Sequence, residues 1–244
     1  MILAIETATS ACSAAVVAAD GTLVAQRIED EGPAHTQCLL PFVHEVLGEA
    51  GVTLGDLDVV VCGLGPGAYT GMRIGVATAR ALAQASGLRL AGAPTLAAVA
   101  FAMAAGTESG TEPETTGVPL IALLDGKRHE VFAGVFRLDR DGSLVESSAL
   151  AVVAADDLSG YLEQWPGAVV GGDGAVLYAD RIPAAVTVAT SVATPTAAMV
   201  GRAWLAAVPG AVEGFEAALP VYGRAPDAAR WQARPSAPGS EGAS

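Results

Sequence analysis

Lysine occurs once, as Lys127, and histidine and cysteine three times each in 244 residues. These scarcities exclude a good deal. Thirteen basic residues face 26 acidic ones, for a net charge of −13. That balance disfavours direct, stand-alone binding of nucleic acid, which needs basic surface to replace counterions, but leaves room for a basic protein partner. Cys12, Cys38 and Cys62 form no CxxC pair and no zinc-type spacing. An odd, sparse set of this kind fits a reducing compartment and buried thiols. His35 and His44 are nine apart, which is not the HxxxH ligand spacing, and Pro41 lies between them. They and His129 read as capping or surface residues. A GxSxG nucleophile motif is missing, and no metal site or cofactor is expected. The N-terminus lacks a basic n-region, so no signal peptide is expected. The longest uncharged run, Ile182 to Gly201, holds Pro183, Pro195 and five Ser or Thr, which argues against a membrane span. A soluble, cytoplasmic protein is the expectation.

What is present is an apolar chain, 52% hydrophobic, long enough for a substantial core. Strands are predicted at Ile2–Glu6, Ser13–Ala19, Thr22–Ile28, Leu57–Cys62 and Leu88–Ala91. Helices are predicted at about Thr36–Ala50, Tyr69–Ser86 and Pro94–Ala105. The polar stretch 106–117, GTESGTEPETTG, reads as a flexible acidic linker. The second half then parallels the first. PLIALLDGKRHEVFAGVF gives strand, turn and strand. Asp141-Gly142 stands where Asp20-Gly21 stood, with Ser143–Ser148 as a third strand. AVVGGDGAV parallels VVVCGLGPG, and PTAAMV parallels PTLAAV. The order of these features points to a duplicated βββαβαβα unit, with lobes at 1–105 and 118–222 and a disordered, Pro-rich tail at 223–244.

The densest motif is GLGPGAYTGMRIG, residues 63–75. It carries Gly63, Gly65, Gly67 and Gly71 between a strand and a helix. It fails the Walker pattern, because Met72 follows the last glycine where a lysine is needed. It also fails the Rossmann spacing, because Gly71 comes one residue late. A helix N-terminus still offers free N–H groups to an anion, while the alternative is a tight turn that lets backbone pack closely. On the helix before it, Leu39, Leu40, Phe42, Val43, Val46 and Leu47 make a stripe wider than one buried face needs. On the helix after it, Gly71, Gly75 and Thr78 form a face of small residues beside Arg73. Packing on the lobe's own sheet and docking against another protein chain both fit. The docking reading assigns Leu39, Phe42, Val43, Val46, Gly71, Arg73, Gly75 and Thr78 to a partner interface. Glu6 and Asp125 close equivalent strands, as a vestigial nucleotide site would require. The turn after Glu6 has no glycine to let phosphate approach, and the turn after Asp125 is crowded with long side chains. A working ATP site is therefore not expected.

Four stretches, ILAIETATSACSAAVV, GPGAYTGMRIG, DGKRHEVFAGVF and PVYGRAPDA, together resemble the bacterial TsaB (YeaZ) family over residues 1 to about 226. The resemblance implies an α/β fold of duplicated ribonuclease-H-like lobes, of the actin/hexokinase/Hsp70 (ASKHA) kind. It also implies a non-catalytic subunit for N6-threonylcarbamoyladenosine formation in tRNAs reading codons that begin with adenine. Its implied partners are the catalytic paralogue TsaD and the ATPase TsaE, with tRNA met only through the complex; a homodimer through the same helices stays open. The segment Glu108–Glu114 and the tail depart from the family pattern. Two readings of other classes stand beside it: an ATP-dependent small-molecule kinase on the same fold, and a glycoprotease-like metallopeptidase.

Overall fold

A computed structural model describes residues 1–30, 35–106 and 117–224. The linker and tail expectations at 106–117 and 223–244 thus lie outside the described residues, save for Gly106, Gly117, Gly223 and Arg224. Three strands, β1 (Ile2–Glu6), β2 (Cys12–Val17) and β3 (Leu23–Glu29), form an antiparallel meander. Helix α1 (His35–Ala50) leads to β4 (Val59–Gly63), parallel to β1 with Ile2 opposite Val59 and Ile5 opposite Cys62. Helix α2 (Tyr69–Ser86) leads to β5 (Arg89–Ala93), parallel to β4, and α3 (Thr95–Ala104) follows.

The second half repeats this order. β6 (Leu120–Asp125), β7 (Glu130–Leu138) and β8 (Leu144–Ala154) form the meander, α4 (Leu158–Glu163) leads to β9 (Val169–Gly171), and α5 (Asp173–Leu177) precedes β10 (Thr187–Val188). Helix α6 (Ala197–Leu205) takes the place of α3. The sheets run β5-β4-β1-β2-β3 and β10-β9-β6-β7-β8, the same order with the same strand directions. This is the duplicated ribonuclease-H-like fold. The first sheet gains one strand, β11 (Val212–Glu213), antiparallel to β5.

Each half lends its last helix to the other. α3 packs on β6, β7 and β9, whereas α6 packs on β1, β2, β4 and β5. The sequence of α3, TLAAVAFAMA, is apolar all round and so demands cover on every side. In α6, Gly201 lets the helix lie directly on Ala4 and Val17, 3.1–3.3 Å from where a Cβ would stand. The layers are therefore α1 and α2, the first sheet, α3 with α6, the second sheet, and α4 with α5. The central core joins Ala4, Val61, Leu96 and Val99 to Leu120, Phe132 and Val200. The three cysteines are buried, unpaired thiols. Among the described residues, no helix is long and apolar enough to cross a membrane.

Candidate functional site: the glycine loop and the cleft between the sheets

The glycine loop leaves β4 at Gly63 and enters α2 at Tyr69. Its glycines are spent inward. A Cβ on Gly63 would overlap the Glu6 carboxylate, one on Gly67 the Ala8 carbonyl, one on Gly71 the Thr7 carbonyl, and one on Gly75 the Thr7 hydroxyl. At Gly65 the φ of +90 also requires glycine. The turn Thr7–Ala11 is thus laid on the loop and on the first turns of α2. Thr7 Oγ1 donates to the Gly71 carbonyl at 2.8 Å, and the Ala68 amide donates to the Ala8 carbonyl at 2.6 Å. His35 Nε2 lies 3.0 Å from the Thr9 carbonyl and 3.1 Å from that of Ala11, pinning the turn from the α1 side. The tight-turn reading of the loop is the one this packing supports, since part of the helix N-terminus is filled by the chain itself.

Glu6 is buried at the end of β1. It accepts from the Ala8 amide at 2.5 Å and from Thr95 Oγ1 at 2.7 Å, and Thr95 in turn accepts from the Gly65 amide at 3.2 Å. Loss of water raises its pKa, against the lowering pull of those donors. Its counterpart Asp125 is mostly buried and faces the exposed Lys127, whose Nζ lies 2.6 Å away and whose amide donates at 2.8 Å. A third carboxylate escaped the sequence reading. Asp173 opens α5, accepts from the Asp125 amide at 3.1 Å, and is raised to about 6 chiefly by burial. Its charge also reaches Glu6. The signal that could have revealed it is its place after Gly171-Gly172, at the turn that parallels the glycine loop.

The turn after Asp125 holds three consecutive non-glycine residues in the left-handed region, Lys127, Arg128 and His129, at φ 58, 58 and 57. Such a run costs of order 1 kcal/mol per residue and persists only where neighbours fix it. Here the Gly126 amide donates to the Glu130 carbonyl and the Glu130 amide to the Lys127 carbonyl. Arg224 Nη2 donates to the Gly126 carbonyl at 2.8 Å and pairs with Glu130, and its guanidinium lies over the Phe132 ring. Gly223 lies so close to Phe132 that a Cβ would strike the ring. Just upstream, Val221 donates its amide to the Leu64 carbonyl at 2.7 Å, and Tyr222 stacks on Tyr69 at 5.3 Å. Residues 221–224 therefore cross from the glycine loop to the second hairpin. Between them lies a cavity of about 400 Å³.

The two outer helices divide the wide apolar stripe. Leu39, Val43 and Val46, spaced at i, i+4 and i+7, are buried against the chain's own first sheet. Leu40 is 55% exposed, and Phe42 and Leu47 are part-buried. On α2, Gly71 and Gly75 are buried under Thr7, while Arg73 is exposed and bonded to Tyr69 Oη, and Thr78 is part-exposed. Within this chain, then, five of the eight residues assigned to docking are core, and Phe42, Arg73 and Thr78 reach the outer side.

Comparison with known proteins fits this geometry. The family model described as "TsaD: tRNA N6-adenosine threonylcarbamoyltransferase" matches residues 29–159. YeaZ from Pseudomonas aeruginosa superposes with a TM-score of 0.71 at 31% identity, covering 91% of this chain and 98% of that one. The chain belongs to the TsaB/YeaZ family. The tRNA threonylcarbamoyladenosine biosynthesis protein TsaB of Escherichia coli is 36% identical over 141 residues, 58% of this chain and 57% of that protein. An uncharacterized protein of Mycobacterium leprae is 37% identical over 140 residues, 56% of this chain and 35% of its own length. The chain thus spans about a third to somewhat over half of the length of these curated relatives.

Proposed function

We propose that the chain is a non-catalytic subunit in the formation of N6-threonylcarbamoyladenosine in tRNAs that read codons beginning with adenine. In this reading it acts with the catalytic paralogue TsaD and the ATPase TsaE, in the cytoplasm, and meets tRNA only within that assembly. Membership of the TsaB/YeaZ family supports the biosynthetic role. The observation that carries the non-catalytic part is the filled glycine loop. Where a phosphate would approach the first strand turn, Thr7 and Ala8 occupy the space themselves. Glu6 is committed to the Ala8 amide and Thr95.

The docking face in this reading is the outer side of α1 and α2, with Leu40, Phe42, Arg73 and Thr78 toward the partner. The test pairs reconstitution with binding. The pure chain given tRNA and threonylcarbamoyl-AMP forms no product, and adding the paralogue and the ATPase restores it. Leu40→Asp and Thr78→Arg, both on outward positions, weaken association with the paralogue by roughly thirtyfold, the scale of a central interface residue at about 2 kcal/mol. Their melting temperatures stay near the parent's. Turnover by the chain alone, or undiminished association of both variants, defeats the reading.

A further inference from the structure

We propose that the edge of β8 takes an added strand, a basic, extended segment of another protein chain seated in the groove between that edge and α4. This surface belongs to the second sheet and is separate from the docking face on α1 and α2. Among the described residues four strands end a sheet: β3, β11, β10 and β8. β10 and β11 are two residues long. β3 carries Arg27, which pairs with Glu45 and Glu49 of α1. Shortness and a charged side chain are two ordinary ways of closing an edge to newcomers. β8 has neither. It runs eleven residues, LVESSALAVVA, with no proline, no basic residue and the single charge of Glu146. Its bulges fall between Glu146 and Ala151, so the stretch Ala151–Ala154 stays regular, with Ala151 opposite Ala133 and Ala154 opposite Glu130.

The ladder fixes which backbone groups are on offer. The Ala155 amide donates to the His129 carbonyl. Alternation along an antiparallel pair then turns Ala151 and Val153 toward β7, and Val152 and the Ala154 amide away from it. Groups so placed are what an incoming strand bonds to. Beside them lies a groove of about 550 Å³, walled by Val152 and Ala154 on one side and by Gly160, Tyr161 and Gln164 on the other. Val152 is 42% exposed. Tyr161 keeps a buried hydroxyl with no hydrogen-bond partner among the described residues, a group able both to donate and to accept. The charge of the occupant follows from the rest of the lining. Asp156 and Asp157 belong to it, and among the described residues no basic side chain does. Arg181 takes Asp156 at 2.6 Å, whereas Asp157 is exposed. A second copy would set these carboxylates against their own kind, in a chain of net charge −13. Basic side chains on every second residue of the incoming strand meet them instead, and apolar ones between them cover Val152.

The probe is a capped synthetic peptide of about six residues, the length of one strand, alternating arginine and valine. Titrated into the full chain and followed by calorimetry and hydrogen exchange, it saturates below millimolar concentration. The Val152 and Ala154 amides exchange quickly in the free chain and are protected in the complex. The same peptide methylated on alternate backbone nitrogens binds about tenfold more weakly, the scale of one or two lost hydrogen bonds. A version with glutamate for arginine fails to bind. Val152→Pro removes an amide that the ladder does not use, a place where an edge strand tolerates proline, and weakens the peptide by about tenfold. Asp157→Lys, at an exposed position, weakens it too and flattens its dependence on salt. Four results overturn the proposal. They are no saturation by the arginine peptide, equal binding of the methylated or glutamate peptide, parent-like affinity in Asp157→Lys, and protection of the two amides before any peptide is added. The third keeps the test decisive should Val152→Pro fail to fold. The fourth gives the edge to a second copy if protection rises with protein concentration, and to this chain's own residues if it does not.

Discussion

The two hairpin turns occupy equivalent places in a duplicated fold and have been put to different uses. In the first half the carboxylate that ends β1 is sealed under a glycine loop and saturated by donors from its own chain. In the second, the carboxylate that ends β6 is only 12% exposed but pairs with an exposed lysine, and so anchors a cationic turn at the edge of a cavity. The outer layers differ in the same sense. The first sheet carries helices of 16 and 18 residues, the second helices of six and five. One half thus offers a broad helical face and a closed turn, the other a thin cover and an open turn. Duplication supplied the framework, and side-chain volume at the turns decided which half stayed accessible.

Substitutions that reopen the closed turn should show the largest effect. Gly71→Val sets two methyl groups where the Thr7 carbonyl lies, and backbone cannot yield cheaply. We expect a loss of at least about 3 kcal/mol of stability by urea denaturation, or no folded protein. A parent-like midpoint would mean that the turn does not rest on the helix. Next comes the carboxylate pair. Glu6→Ala strands the buried Ala8 amide and the Thr95 hydroxyl and should cost roughly 2–4 kcal/mol. Asp125→Ala removes the mostly buried partner of an ion pair whose ammonium is exposed, and should cost about 1 kcal/mol. Equal losses in the two melts would erase the contrast between the halves.

The remaining effect is in pH. Asp173 is raised from 3.8 to about 6 in the folded state, so the folded chain holds that proton more tightly than the unfolded one. The associated stability is complete below about pH 4, is lost as pH rises through about 6, and is flat above it. It amounts to about 3 kcal/mol. In Asp173→Asn, denaturation midpoints measured across that window should fall less steeply with pH. An unchanged slope would place the titration elsewhere.

Much of the frame was readable in the chain. Alternation and apolar runs marked β1, β4 and β6, and the glycine loop marked the start of α2 correctly at Tyr69. The duplicated strand order followed from ordered echoes such as VVVCGLGPG and AVVGGDGAV. The exchange of α3 and α6 was not read, although the all-round apolar face of α3 hinted at cover from two sides. Periodicity says that a helix face is buried but not which sheet buries it. For the same reason the α1 stripe was legible as wide, while its division at Leu39, Val43 and Val46 from Leu40 and Phe42 needed the sheet in place. Asp173 and Arg224 were missed because each acts on Asp125 or Gly126 from 48 and 98 residues away. Contacts at such separations leave no local pattern.

The traded helices also bear on how the chain is made. While the ribosome is still extending it, the first sheet already has its outer helices, but its inner face, with Ala4, Val17, Val59 and Val61, has no lid. The lid is α6, encoded near residue 200, and the edge strand β11 comes later still. The half synthesised first is therefore completed last. Until then the nascent chain carries an apolar sheet face in search of cover, which is the interval in which a chaperone would have something to hold.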